Sequence, residues 1–177
     1  MGSSMTTIWQ PSGEWAGKTV AVLASGPNMS ADIAKALRKH KTIAVNFAVR
    51  AAPWADMLVA LDGNWPQELR DFEGIRVTGV ADETLDARYI GPQWERVKLG
   101  ESHEIEIHNS GLSAVRLAAR MGASKIILAG FEPEARRHFY DDDEVDTGEY
   151  VGLTLALDAL VQELRRAGVT VERYEVE

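Results

Sequence analysis

Five short polar segments hold the side chains of this chain best suited to chemistry. Four of them directly follow apolar runs: Ser25-Gly26-Pro27-Asn28, Asn46, Asp62-Gly63-Asn64-Trp65 and Gly130-Phe131-Glu132. The fifth, Asn109-Ser110-Gly111, opens a helical pattern. Small residues at such places let backbone approach a ligand, and free N–H groups at a helix start attract phosphate or carboxylate. Asp62 at a strand end suits a ribose hydroxyl or a divalent cation. Each segment also has a plainer reading: Gly26-Pro27 as a turn, Asn28, Ser30, Asn109 and Ser110 as helix caps, Asp62 as a solvated loop acid. Independent capping does not require all five to share one edge of a sheet, and here they do.

Continuous apolar runs at Thr19–Leu23, Thr42–Val45, Met57–Leu61 and Lys125–Ala129 lack polar alternation, as expected of strands covered on both faces. Ile75–Val80 and Val169–Tyr174 read as further strands. Helical spacing marks Ala31–Lys39, Leu112–Met121 and Tyr150–Ala167, the last two stopped by Gly122 and Gly168. This alternation predicts a single-domain α/β protein with a Rossmann-like, doubly wound, mostly parallel sheet and right-handed crossovers. In such sheets ligands bind beyond the carboxyl ends of the strands, where the polar segments fall. Residues 81–108 are the hardest to read; Arg96–Leu99 and Glu104–His108 are expected as a short strand pair, in an insertion or at a sheet edge.

Arg136-Arg137-His138-Phe139-Tyr140 leads into an acidic run, Asp141 to Asp146. Such a run ordinarily faces water; the functional alternative is a lid whose basic residues reach phosphate and whose carboxylates reach a metal. His138 is the histidine best placed for chemistry. The aromatic Trp65, next to Asp62, is either packing or a surface for stacking a base. The chain has no Gly-x-x-x-x-Gly-Lys-Ser/Thr, no Gly-x-Ser-x-Gly and no Gly-x-Gly-x-x-Gly, which disfavours P-loop, α/β-hydrolase and ordinary NAD chemistry.

The 177 residues suit one domain, read over residues 15–177, with residues 1–14 read as an expression scar (Met1 to Ser4) and a flexible arm. Net charge is −8, and Lys and Arg look scattered along the chain, so nucleic acid is not the expected partner. No apolar run approaches a membrane span. The chain contains no cysteine, which excludes thiolate chemistry and disulfides and fits a reducing, cytoplasmic setting.

Motifs in order along residues 15–140 carry a resemblance. They are Ala24-Ser25-Gly26-Pro27-Asn28-Met29, Ile43-Ala44-Val45-Asn46, Ala52-Pro53-Trp54-Ala55-Asp56 with Asp62, Asn109-Ser110-Gly111, and Gly122-Ala123 through Gly130-Phe131-Glu132. With them the chain resembles small phage-encoded Rossmann-like proteins, which are similar to the 6-hydroxymethylpterin diphosphokinase-like family and to the bacterial sialyltransferases that use CMP-sialic acid. The resemblance implies a nucleotide or nucleotide-sugar ligand in a bacterial host cytoplasm, with Gly26, Pro27, Asn28, Asn46, Ser110 and Gly111 around it. Asn28 stands where that pattern has Ser, Glu132 where it has Asp, and Asp141 to Asp146 where it has Gly-Asp-His-Pro.

The expectation is therefore a transferase. Ser25 to Asn28 and Asn109 to Gly111 would bind phosphate, Asn46 and Asp62 sugar hydroxyls or metal. Glu132 or His138 would handle a proton: His138 as base in glycosyl transfer, or Asp62 and Glu132 holding Mg²⁺ across the phosphates in diphosphate transfer. The alternatives are a noncatalytic protein that sequesters a nucleotide and a structural protein with a vestigial site.

Overall fold

The computed structural model describes residues 7–92, 95–98, 104–132, 139–140 and 148–175. Seven strands form one sheet in the order β5-β4-β3-β2-β1-β8-β9: β1 Thr19–Leu23, β2 Lys41–Val45, β3 Met57–Val59, β4 Ile75–Thr78, β5 Arg88–Tyr89, β8 Lys125–Ala129 and β9 Thr170–Arg173. Every pairing in it is parallel. The fold is the single-domain Rossmann-like α/β architecture that the alternating apolar runs predict.

Alternation along the strands explains why both faces are covered. Val20, Val22, Ile43, Val45, Met57, Val59, Ile126 and Leu128 point to one face, where they pack with Leu112, Val115 and Leu117 of α3 (Ser110–Arg120) and Leu157, Leu160 and Leu164 of α4 (Gly148–Arg166). Ala21, Leu23, Ala44, Leu58, Ile127 and Ala129 point to the other. There they meet Ala34 and Leu37 of α1 (Ala31–Leu37), Ala48 and Val49 of a 3-10 turn (Asn46–Arg50), and Leu69 of α2 (Gln67–Arg70). Removal of such side chains from water is the main force holding three layers together.

Apart from β5, which the sequence does not predict, the differences from expectation lie mainly at element ends. β3 stops at Val59 because the Leu61 N–H turns out of the ladder to the Ser110 hydroxyl, 3.0 Å away. β4 ends at Thr78, whose Oγ1 accepts the Val80 N–H at 3.2 Å. α3 starts two residues before Leu112, because Asn109 Oδ1 caps the Leu112 N–H at 3.1 Å and draws Ser110 and Gly111 into the first turn. β6 (Glu95–Lys98) and β7 (Glu104–Ile107) pair antiparallel in a separate two-stranded sheet near α4. No described helix is long and apolar enough to cross a membrane.

Candidate functional site

The sheet order reverses at β1: the chain winds outward through β2 to β5, then returns to pair β8 on the other side. Crevices open at such switch points because the connections from adjacent strands leave in opposite directions. Here a cavity of about 360 Å³ opens beyond the carboxyl ends of β1, β2, β3 and β8. Ser25, Gly26, Asn46, Asp62, Asn109, Gly111 and Glu132 line it. Pro27 and Asn28 lie in the same turn but outside the lining, and Asn28 is exposed. Ser110 is buried just behind it, its Oγ accepting the Leu61 N–H, so it sets the position of the residue before Asp62. His138 and the run Asp141 to Asp146 lie outside the described residues.

The floor is a meeting of two turns. The β1–β8 ladder continues past the strands through Ala24 N–H to Ala129 O (2.8 Å) and Gly26 N–H to Gly130 O (2.7 Å). Gly130 turns away with φ +75°, a conformation that glycine adopts without steric cost. A Cβ on Gly26 would run into the Gly130 carbonyl and into Glu132 Oε2. The acid is thus packed directly over the glycine of the first turn, and its Oε2 is buried.

The walls come from neighbouring elements. Asn46 takes a left-handed φ of +50° and turns the chain from β2 into the 3-10 turn, while Asn64, also in the lining, has φ +59°. Asparagine tolerates that region better than other side-chain-bearing residues. Ser25 Oγ donates to Val45 O at 3.3 Å and ties the first turn to the end of β2. Phe47 and Tyr140 form one flank, edge to face with centroids 5.4 Å apart. The Arg50 guanidinium lies 4.7 Å from the Phe47 ring centroid and 5.0 Å from that of Tyr140, held there by paired hydrogen bonds to Glu68 at 2.6 and 2.9 Å. The Arg50 hydrogen bond lowers the Glu68 pKa below the usual carboxylate value. Trp65 also borders the cavity, but it is only 4% exposed and its Nε1–H donates to Ala60 O at 3.2 Å, so its ring is chiefly packing.

Electrostatically the crevice is acidic. Among the described residues its lining carries two carboxylates, Asp62 and Glu132, and no Lys, Arg or His. The Asp62 side chain is 88% exposed and its Oδ1 lies 3.3 Å from His108 Nε2. In the sequence His108 stood only as the end of an expected short strand, although it immediately precedes the cap Asn109, a position that brings it to the same edge. Two of the first N–H groups of α3 are used internally, Leu112 on Asn109 Oδ1 and Ser113 on Asn109 O. Those of Ser110 and Gly111 have no partner among the described residues and stand beside the cavity. No group of three or more His, Asp or Glu that could hold a metal gathers among the described residues.

Together these parts can bind a ligand that places an anion at the start of α3, an aromatic ring against Phe47 and Tyr140, and hydroxyls or a cation near Asp62 and Glu132. Comparison with protein-family models and with curated proteins returned no match for this chain.

Proposed function

We propose that the crevice beyond β1 and β8 binds a nucleotide or nucleotide-sugar and that the protein is a transferase acting on it, by glycosyl or diphosphate transfer. The observation that carries this reading is the convergence at the switch point of the Ser25-Gly26 turn, the α3 start at Asn109 to Gly111, and the strand-end residues Asn46, Asp62 and Glu132. Base binding is assigned to Phe47 and Tyr140, phosphate to the N–H groups of Ser110 and Gly111, and sugar hydroxyls to Asn46 and Asp62. Glu132 is the proton-handling residue.

The two carboxylates bear on the metal. Phosphate beside Glu132 and Asp62 meets like charge, with no compensating side-chain cation in the described lining. Mg²⁺ is ordinarily held by one or two carboxylates together with substrate phosphates, and two acids in one crevice suit that donor set. Asp62 and Glu132 would hold the ion, which would neutralise phosphate charge in diphosphate transfer. A noncatalytic reading keeps the same pocket, with Glu132 Oε2 packed over Gly26 as part of its wall.

The test is a thermal-shift and native mass-spectrometry screen of nucleotides, nucleosides and nucleotide-sugars, with and without Mg²⁺, on the wild type and on Phe47→Ala. A ligand at about one hundred times its Kd stabilises the fold by about 2.7 kcal/mol, a melting shift of roughly 5–10 °C for a chain of this size. The shift should be reduced in Phe47→Ala. No response from any member of the panel overturns the reading; binding without turnover leaves the noncatalytic form of it.

A further inference from the structure

We propose that the opposite, amino-terminal end of the sheet holds a second site, one for a compact polyphosphate-type anion, in the cavity walled by Lys18, Arg38, Lys39, His40 and Lys41. That cavity measures about 450 Å³ and shares no lining residue with the crevice described above. Parallel pairing builds it. Thr19 stands opposite Lys125 on one side and Val20 opposite Lys41 on the other, so Lys18, Lys41 and Lys125 mark the starts of three adjacent strands. The end of α1 adds Arg38, Lys39 and His40 from above β2. Cations that look scattered along the sequence are thereby gathered on a chain whose net charge is −8.

Countercharge does not account for this gathering. Lys18, Lys39 and Lys41 have no ion-pair partner among the described residues, and Lys18 and Lys39 are exposed. Two acids stand close by. Asp56 lines the cavity and accepts the Thr42 N–H through Oδ2 at 2.9 Å, while Glu172 pairs with Lys125 at 3.1 Å. Arg38 lies 5.0 Å over the Trp54 ring, which fixes its guanidinium at the rim. His40 is half-buried among these groups; burial holds its pKa below the ordinary 6.5, and Lys39 and Lys125 lower it further.

The concave shape and the acidic remainder of the chain favour a compact anion over an extended one. Charges beyond about 8 Å are screened at physiological salt, so a small anion meets only the local cations, whereas a long polyanion would also lie over acidic surface. An anion in the cavity offsets the repulsion of Lys39 and Lys125 on His40 and raises its pKa, so binding is coupled to proton uptake by the imidazole.

The probe is inorganic tripolyphosphate, which has no base or ribose, titrated by calorimetry at about 0.15 M ionic strength with His40 followed by NMR. One saturable site is expected, with the His40 pKa rising on binding and affinity falling about tenfold or more in the Lys18→Gln/Lys39→Gln variant. Phe47→Ala, at the other end of the sheet, should leave this binding unchanged whether or not the crevice takes a nucleotide. Absence of saturable binding, an unchanged affinity in the double variant, or an unmoved His40 pKa overturns the proposal. Tighter binding of a short DNA duplex with the same lysine dependence also overturns it, in favour of a nucleic-acid surface.

Discussion

Gly26→Ala is expected to destabilise the protein by about 0.5–4 kcal/mol, a value built from two costs and one gain. The new Cβ meets Glu132 Oε2, the far end of a side chain that can swing away, and the Gly130 carbonyl, which cannot. The carbonyl oxygen is the acceptor of the Gly26 N–H at 2.7 Å, and the carbonyl carbon stands 2.9 Å from the added atom. Relief therefore separates the β1 and β8 turns. Overpacking of this kind costs about 1–3 kcal/mol and the lost hydrogen bond about 0.5–1.5, while alanine recovers about 0.4–1 through the unfolded chain. Chemical denaturation and melting should show it, at roughly 2–4 °C per kcal/mol.

Adding Glu132→Ala separates the two contacts. The double variant removes the side-chain collision but not the backbone one, so it should recover only a minor part of the loss. Full recovery would mean that the turns are not in van der Waals contact and would refute the argument. So would a Gly26→Ala variant within about 0.5 kcal/mol of wild type, the ordinary range for a change away from any such feature.

Ser110→Ala should cost about 1–3 kcal/mol in denaturant titrations, because it leaves the buried Leu61 N–H without its acceptor. Tyr140→Ala should weaken a nucleotide that binds the crevice by about 1–3 kcal/mol in isothermal titration, the usual worth of one stacked base. Glu68→Gln should change stability by about 0.2–1 kcal/mol, since both partners of the Arg50 pair are about two-fifths exposed. The Glu68 carboxyl has a lowered folded-state pKa, so its contribution is present above the ordinary 4.5 and is lost as pH falls through the folded value; the wild-type to Glu68→Gln difference in melting point should vanish there. His40 shifts stability in the same pH direction: its charged form is disfavoured in the folded state, so a penalty absent well above pH 6.5 grows as pH falls below it, and His40→Gln should relieve it.

The central sheet was legible because burial on both faces leaves unbroken apolar runs, and Thr19–Leu23 and Lys125–Ala129 match to the residue. β5 was not legible: two residues, Arg88 and Tyr89, carry no periodicity, and their strand exists only through pairing with Val77 and Thr78. The clustering of Ser25, Gly26, Asn46, Asp62, Asn109, Gly111 and Glu132 followed from topology alone, since parallel strands end at one edge. What topology does not supply is direction within that edge. Asn28 is exposed, while Ser110 turned inward to Leu61 and Glu132 folded back over Gly26, both by contacts between residues distant in sequence. The Phe47, Arg50 and Tyr140 cluster was hidden for the same reason, Tyr140 being distant in sequence from Phe47 and Arg50.

A parallel sheet also gives the molecule a polarity that bears on both sites. β1 (Thr19–Leu23) lies between Lys18 and Ser25-Gly26, β2 (Lys41–Val45) leads from Lys41 into Asn46, and β8 (Lys125–Ala129) leads from Lys125 into Gly130 and Glu132. Each of these three strands starts at or just after a cation and is followed by small, amide or acidic residues. A five-residue strand spans about 17 Å, roughly twice the screening length at physiological salt. Exposed charges at one end therefore act weakly on a ligand at the other. On the proposed reading, a nucleotide in the acidic crevice would have its phosphates met by backbone N–H groups and a cation bound with it, because the lysines at the strand starts are too far away to help. Nucleotide affinity should consequently depend on Mg²⁺ and on Asp62, and remain unchanged in Lys18→Gln/Lys39→Gln. If the lysine variant weakens the crevice ligand, the ligand is seated at the wrong end of the sheet and the assignment of phosphate to α3 fails.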